Sequence, residues 1–148
     1  MRFQLFRQRS GVRDGHGTPA EQRTPRVLTV LDDGSIEAAA RLAGFVVGAA
    51  LDAVGAARLL RMQAADVLVL CVDGANQEQM AALVDCARRD HPAMRVWVQT
   101  NNAAFGAHLM LLGAERHCSS SESLGPLFDA AMQAFLERGV LERTRPAA

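Results

Sequence analysis

The sequence contains no lysine, since all 16 residues counted as Lys and Arg are arginine. This absence excludes from the chain every mechanism that needs a lysine side chain. Schiff-base chemistry and attachment of a cofactor through an imine are excluded. A Walker A phosphate loop and a lysine paired with an acyl phosphate are excluded as well.

An excess of charge and a long apolar run are also absent. The 16 basic residues balance 16 acidic ones, so no net charge draws the protein toward nucleic acid or an acidic membrane. The longest apolar run, residues 42–51, is about half the length that a membrane-spanning helix needs. We therefore expect neither nucleic acid nor membrane among the partners.

Cysteines are few and irregularly spaced: Cys71, Cys86 and Cys118 form no CxxC pair. The first seven residues lack the continuous apolar stretch of a secretory signal. An odd number of cysteines without such a signal predicts reduced thiols and a cytoplasmic protein.

The most informative segment present is the apolar run that follows Asp66 and ends at Val72. The run is short, continuous and rich in β-branched residues, which favours a central parallel strand over a helix. Ligands and reactive groups collect at the carboxyl ends of strands in an open α/β sheet. In this chain that position holds a thiol, Cys71, and the first carboxylate, Asp73, comes two residues later.

The rest of the chain divides into tails and one domain. Residues 1–25 predict a flexible basic tail, because residues 8–25 are rich in Arg, Gly, Gln, Thr and Pro and lack aliphatic periodicity. Residues 26–138 predict the folded domain, and residues 139–148 a second tail. Within the domain we predict five strands, at residues 26–31, 45–49, 66–72, 94–100 and 116–118.

A helical pattern follows each predicted strand. Ser35 is predicted to be the N-cap of the first helix. The other helices are predicted to begin at or just after Asp52, at Asn76 or Gln77, after Asn101 and Asn102, and at or near Ser123, and the last is predicted to end at Gly139. Strict alternation of strands and helices predicts a three-layer α/β fold with a parallel sheet and right-handed crossovers.

The order and lengths of these segments resemble the receiver domain of bacterial response regulators. Three patterns carry the resemblance: the first strand with its acidic end at residues 26–33, the strand at residues 66–71, and the Gly-Ala turn into the last strand at residues 112–118. The resemblance implies a flavodoxin-like (βα)5 fold with a five-stranded sheet of order 2-1-3-4-5.

The resemblance also locates a pocket whose chemistry has been lost. Receivers hold Mg²⁺ with two acidic residues after the first strand and a phosphate-accepting Asp after the third; a Thr or Ser and a Lys then bind the phosphate. The matching positions hold Leu31 and Asp32, with Asp33 one residue on, then Cys71, Thr100 and Ser120. Because a thiol is a soft ligand and the lysine is missing, we expect no phosphorylation, no metal and no cofactor.

A catalytic, redox or metal-binding role for the same residues is less well supported than an inactive pocket. Cys71 as a redox or nucleophilic thiol needs a lowered pKa, whereas its apolar neighbours indicate a buried, inert thiol. Asp73 as a displaced phosphate acceptor would lie on the loop and point elsewhere. A metal site from His117, Cys118, Cys71 and Asp73 matches no ligand spacing.

Two phosphatase classes are excluded by spacing. A cysteine phosphatase loop needs an arginine six positions after the cysteine, and those positions hold Gln77, Pro92 and Leu124. A phosphatase of the haloacid type needs two aspartates separated by one residue, together with a lysine, and neither requirement is met.

The fourth helix, residues 103–112, has no charged residue, although a surface helix usually presents a polar face. The resemblance implies that the face formed by helix 4, strand 5 and helix 5 is the usual dimerisation surface. We therefore predict that a second copy or a partner protein covers this face, which holds Phe105, His108, Leu109, Met110, Leu112, Leu127 and Phe128.

The sequence thus predicts a degenerate receiver that is not an enzyme. Its expected role is a phosphorylation-independent interaction or dimerisation module in bacterial signalling or assembly, alone or within a longer protein. The alternative is a flavodoxin-like small-molecule or redox sensor that uses the pocket around Asp32, Cys71 and Thr100.

Overall fold

Strands and helices alternate strictly in the computed structural model, which describes residues 23–144, with side chains described through Gly139. The strands are β1 (Arg26–Val30), β2 (Val46–Ala50), β3 (Val67–Cys71), β4 (Arg95–Gln99) and β5 (Arg116–Cys118). The helices are α1 (Ser35–Leu42), α2 (Ala53–Met62), α3 (Gln77–Asp90), α4 (Ala103–Leu112) and α5 (Gly125–Thr144).

All five strands are parallel and lie in the order β2-β1-β3-β4-β5. The predicted flavodoxin-like fold is therefore confirmed. Because the strands are parallel, the loops that follow β1, β3, β4 and β5 meet at one edge of the sheet. That edge carries the predicted pocket.

Two apolar layers cover the sheet, because side chains alternate between its faces along each strand. On one face Leu68 and Leu70 of β3 pack with residues of α2, α3 and α4. On the other face Val67 and Val69 pack with residues of α1 and α5. Both faces of β3 are covered, which explains why its sequence is apolar without alternation.

Two helices begin where short-range signals predict. Asp52 accepts a hydrogen bond from the N–H of Gly55 at 2.7 Å and begins α2. Asn102 accepts one from the N–H of Phe105 at 3.0 Å and begins α4. These side chains satisfy N–H groups that have no partner inside the helix.

The predicted cap at Ser35 is wrong. Gly34, with a left-handed φ of 106°, takes the N-cap position, and Ser35 is the first residue of α1. The free N–H groups of Ile36 and Glu37 donate to Asp32 instead, at 3.1 and 2.8 Å. A carboxylate with two free oxygens replaces the single hydroxyl that the sequence offers at this helix start.

The folded region also extends beyond both predicted boundaries. α5 continues through Gly139 to Thr144, so its predicted end and the predicted start of the C-terminal tail are wrong. A glycine inside a helix costs about 1 kcal/mol relative to alanine, which weakens a helix without ending it. At the other end, Arg23 donates to both carboxylate oxygens of Asp66 at 2.7 and 2.8 Å. Residues 1–22 of the predicted N-terminal tail lie outside the described residues.

Two residues of the predicted interface face the protein's own core. Leu109 and Phe128 are fully buried, so neither is available to a partner in this structure. Leu109 packs in the layer of α2, α3 and α4. The ring of Phe128 packs against Trp97 and Phe45, with ring centroids 5.1 and 5.7 Å apart.

Candidate functional site

The carboxyl edge of the sheet brings the predicted pocket residues into one region but does not make them converge. Leu31 follows β1, Cys71 ends β3, Thr100 follows β4, and Ser120 lies in the loop after β5. Most of the polar side chains predicted for the pocket accept hydrogen bonds from backbone N–H groups nearby in the sequence.

Both aspartates after β1 accept hydrogen bonds from residues at the start of α1. Each oxygen of Asp32 accepts a backbone N–H of the helix, as described above. Asp33 accepts both the N–H and the hydroxyl of Ser35 at Oδ1, at 3.0 and 2.8 Å, and these bonds lower the pKa of Asp33. Leu31, which stands where receivers have the first acid, adopts a left-handed φ of 61° and is exposed.

The thiol of Cys71 is held in its neutral form. Burial, followed by the charges of Asp32 and Asp33, raises the pKa of Cys71 to about 12. Its Sγ lies 3.8 Å from Oε1 of Gln99, within reach of a weak S–H donor. Nucleophilic attack and metal ligation need the thiolate, which is a minute fraction of the population at neutral pH.

The hydroxyl of Thr100 is also engaged. Thr100 is buried, and its Oγ1 accepts the N–H of Asn102 at 3.1 Å. Its carbonyl oxygen lies 3.1 Å from Nε2 of His117, and its N–H donates to the carbonyl of Cys118 at 2.9 Å. Thr100 therefore stabilises the turn into α4 and the pairing of β4 with β5.

Ser120 and Asp73 line different hollows. Ser120 lies with Gln99 and Ser35 around a hollow of about 320 Å³ beside α1. Asp73 lies with Leu31 around a hollow of about 350 Å³ beside α2 and α3. Of the seven predicted residues, Ser120 lines the first hollow and Leu31 and Asp73 line the second. Asp32, Asp33, Thr100 and the half-buried Cys71 line neither.

Asp73 is not placed to replace an acceptor at Cys71. It is exposed, its N–H donates to Oδ1 of Asn76 at 3.0 Å, and its own Oδ1 accepts the N–H of Ala75 at 2.9 Å. These bonds are typical of a loop in which a side chain stabilises the turn before a helix.

The residues present do not fit the Mg²⁺ that the fold family implies. A hard divalent cation needs several free oxygen ligands, whereas both oxygens of Asp32 already accept N–H groups of α1. The third position offers a protonated sulfur, a soft and uncharged donor. Across residues 23–139, where side chains are described, His, Cys, Asp and Glu form no group of three that could hold a metal ion.

His117 and Cys118 point to opposite faces of the sheet and so cannot share a ligand. Cys118 is buried in the layer of α1 and α5. The His117 ring lies beneath α4, where a Cβ added to Gly106 would come within 2.5 Å of it. Sequence reasoning missed this contact, and it also missed the role of Gln99 beside the thiol.

The outer surface of α4 is apolar, as its lack of charged residues predicts. Leu111 is 87% exposed and Met110 is 38% exposed, and His108 beside them is exposed as well. Phe105, Leu112 and Leu127 are half-buried. Of the seven residues predicted for the interface, Leu109 and Phe128 belong to the core, and the other five are exposed or half-buried. None of the helices described within residues 23–144 combines the length and apolar character needed to cross a membrane.

The sequence matches no protein-family model and no curated protein. The structure is similar to the receiver domain of NtrX from Brucella abortus, with 18% identity and a TM-score of 0.60, covering 75% of this chain and 98% of that domain. In whole NtrX the matched region is 28% of the chain.

Two further structures extend the comparison. A response regulator from Thermotoga maritima has 20% identity and a TM-score of 0.64, covering 78% of this chain and 99% of its own. An atypical orphan response regulator, described as revealing a phosphorylation-independent regulatory mechanism, has 18% identity and a TM-score of 0.59, covering 76% and 95%. The chain therefore has the fold of response-regulator receiver domains.

Proposed function

We propose that this chain is an atypical receiver that acts in bacterial signalling or assembly by binding protein, without being phosphorylated. The observation that carries the proposal is the state of the acceptor position. Cys71 replaces the acceptor there, its pKa is raised to about 12, and Asp32 beside it is committed to capping α1. A pocket with this chemistry lacks both the nucleophile and the metal site of a working receiver.

The apolar surface of α4 supports binding as the remaining role. An exposed cluster of large apolar side chains usually marks a site of interaction. Leu111 and Met110 form such a cluster on a helix without a charged residue, next to the short edge strand β5. A second copy or another protein is the occupant that this surface suits.

Phosphorylation is tested by incubating the protein with acetyl phosphate and Mg²⁺, and separately with beryllofluoride and Mg²⁺. We expect no change in intact mass with the first reagent and no change in the amide spectrum with the second. A working receiver treated in parallel is the positive control. A stoichiometric, Mg²⁺-dependent adduct on this chain would overturn the proposal.

The binding role is tested with Leu111→Lys, which adds a charge to the proposed surface. Leu136→Lys is the matched control, because Leu136 is also exposed but lies on α5, 54% accessible. We expect the first variant, and not the second, to lose binding to a purified partner identified by gene neighbourhood. Equal binding by both variants would remove α4 from the interface.

A second candidate, a small-molecule sensor, is favoured by one observation. The hollow of about 320 Å³ beside Gln99 is lined by four serines, Ser35, Ser120, Ser121 and Ser123, and by the acidic residue Glu122. Such a lining suits a small, uncharged polar ligand rather than a phosphate. A redox version is disfavoured because the raised pKa of Cys71 opposes oxidation of its thiol.

We also propose a cytoplasmic location. The described cysteines, Cys71, Cys86 and Cys118, are all free. Free thiols persist in a reducing compartment. Persistent oxidation of these thiols in the protein isolated from its native cell would contradict this location.

A further inference from the structure

The β2 edge of the sheet carries a second apolar surface, separate from α4. Six of the large apolar side chains exposed in the described residues come from one stretch of chain, residues 42–62. Leu42 is 91% exposed, Leu51 is 87% exposed and Met62 is 75% exposed, and the others are Val46, Val54 and Leu59. These residues belong to β2 and to the adjoining ends and faces of α1 and α2, so they surround one edge of the sheet.

Among residues 23–144 no strand pairs with the outer side of β2, so its outward backbone groups are available for pairing in the part of the chain that the structure describes. In a parallel strand, residues alternate in pointing their N–H and C=O groups to one side or the other. Val46 donates its N–H to Pro25, and Ala50 accepts the N–H of Leu31, so these two residues and Gly48 point toward β1. Val47 and Ala49 therefore point away from the sheet.

The two edges of the sheet differ in how they are protected. Natural edge strands avoid pairing by being short or by carrying charges. β5 has three residues and includes Arg116, whereas β2 has five residues, Val-Val-Gly-Ala-Ala, with no charge and no proline. Among the described residues, one side chain bonds to the backbone of β2: the Arg41 guanidinium lies 3.5 Å from the carbonyl oxygen of Val47, at the limit of a hydrogen bond.

We propose that two copies of this chain associate by antiparallel pairing of their β2 strands about a two-fold axis. In this pairing Gly48 of one chain lies opposite Gly48 of the second copy. Val47 of each chain then lies opposite Ala49 of the other. Both of these residues point outward, so the two pairs can exchange four N–H to C=O hydrogen bonds. Gly48 then occupies a pair without mutual bonds, where strands approach to about 4.5 Å and a small residue fits best.

The residues around β2 in one copy also match those around β2 in the second copy, related by the same two-fold axis. Antiparallel pairing brings the carboxyl end of one strand beside the amino end of the other. Leu51 and Asp52 lie at the first end, and Leu42 lies at the second. Because α2 runs back along β2, its last turn places Arg61 and Met62 at the second end too. Apolar side chains therefore meet apolar ones, and Asp52 approaches Arg61 of the other copy.

This inference is independent of whether α4 binds a partner, and the experiment separates the two surfaces. Sedimentation of the full chain at about 100 µM, a concentration at which even weak specific dimers form, measures association. We expect a dimer that Ala49→Lys and Leu51→Lys each weaken at least about tenfold, because both add charge to the edge. Ala49 and Leu51 are exposed, so these variants should fold, which circular dichroism checks. Leu111→Lys is the control and should dimerise like the original.

Amide exchange supplies a second readout that does not depend on substitutions. The N–H groups of Val47 and Ala49 should gain protection as protein concentration rises, whereas those of Gly48 and Ala50, which face β1, should be protected at all concentrations. A monomer at about 100 µM overturns the proposal. So does a dimer that Leu111→Lys dissociates while both edge variants leave it intact, a result that would instead support α4 as the self-association surface.

Discussion

The imidazole ring of His117 occupies the space that any side chain at position 106 would need. A Cβ built on Gly106 would lie 2.5 Å from Cε1 of that ring. The ring cannot easily move aside, because its Nε2 lies at hydrogen-bond distance, 3.1 Å, from the carbonyl oxygen of Thr100. The pair therefore fixes how closely α4 approaches β5.

The first prediction is that Gly106→Ala destabilises the protein. Alanine should gain about 1 kcal/mol in helix propensity, but overpacking a filled site costs about 1–3 kcal/mol. We expect a net loss of about 1 kcal/mol in the free energy of unfolding, measured in urea.

A double-mutant cycle identifies the cause of that loss. In a His117→Ala background the clash is absent, so Gly106→Ala should become neutral or stabilising. If the substitution has the same effect in both backgrounds, the ring is not what excludes a side chain at position 106.

The second prediction concerns the pH dependence caused by Cys71. The folded state raises the pKa of this thiol from 9.0 to about 12, so it retains the proton more tightly than the unfolded chain does. The resulting stabilisation is complete below pH 9 and is lost as the pH rises toward 12. Cys71→Ala should therefore lose less stability than the original protein between pH 9 and pH 11, as measured by urea unfolding.

Alkylation gives an independent check of the same thiol. With iodoacetamide at pH 8, Cys71 in the native protein should react far more slowly than in the urea-unfolded chain, as quantified on the peptide that contains it. Rapid native labelling would contradict a neutral, half-buried thiol and would favour the redox sensor.

The sequence predicts the fold well because the signals for the fold are local. The apolar run of β3 and the caps Asp52 and Asn102 each act within a few residues, and the structure confirms them. The capping residue of α1 is predicted wrongly because Asp32 and Ser35 are both good caps, and only the conformation of Leu31 and Gly34 decides between them.

The direction of the side chains on α4 is harder to predict from the sequence. A helix without charged residues has no polar face, so its periodicity does not distinguish Leu109, which is buried, from Leu111, which is 87% exposed. The separation of Asp73 from Ser120 is likewise a property of the assembled sheet edge. Contacts between distant segments, such as His117 with Gly106, leave no pattern in a single sequence.

The third prediction is that Arg23 contributes to the domain although it precedes β1. Desolvation raises the pKa of Asp66, but hydrogen bonds from Arg23 and from the N–H of Arg26 outweigh it, so the net pKa is lowered. A lowered carboxyl pKa gives stability that is present above the ordinary Asp value and is lost as pH falls through the folded one.

Arg23→Gln should reduce the free energy of unfolding by at most about 1 kcal/mol at pH 7, because the guanidinium is half-exposed. The difference from the original should shrink in acid, below the folded pKa of Asp66. Arg89→Gln, which removes an exposed pair with Asp85, is the matched control and should cost less. A difference that persists unchanged in acid would assign the effect of Arg23 to its contact with Phe135, where the guanidinium lies 5.5 Å from the ring centroid.

The fourth prediction is that restoring the acceptor does not restore phosphorylation. Cys71→Asp places a carboxylate where receivers have one, but Asp32 still caps α1 and the chain still has no lysine. We expect no Mg²⁺-dependent adduct with acetyl phosphate by intact mass. An adduct would mean that Asp32 leaves the helix and binds metal once a second carboxylate is present.

The same variant should be less stable than Cys71→Asn, which has nearly the same shape and no charge. Burial and the nearby charges of Asp32 and Asp33, which already raise the pKa of the thiol, would oppose ionisation of the new carboxyl group. We expect Cys71→Asp to be about 1–3 kcal/mol less stable than Cys71→Asn at pH 7. The gap should close as pH falls, because the carboxyl group is then neutral in both the folded and unfolded states. A gap that stays constant down to pH 4 would show that the two aspartates do not act on position 71 through their charge.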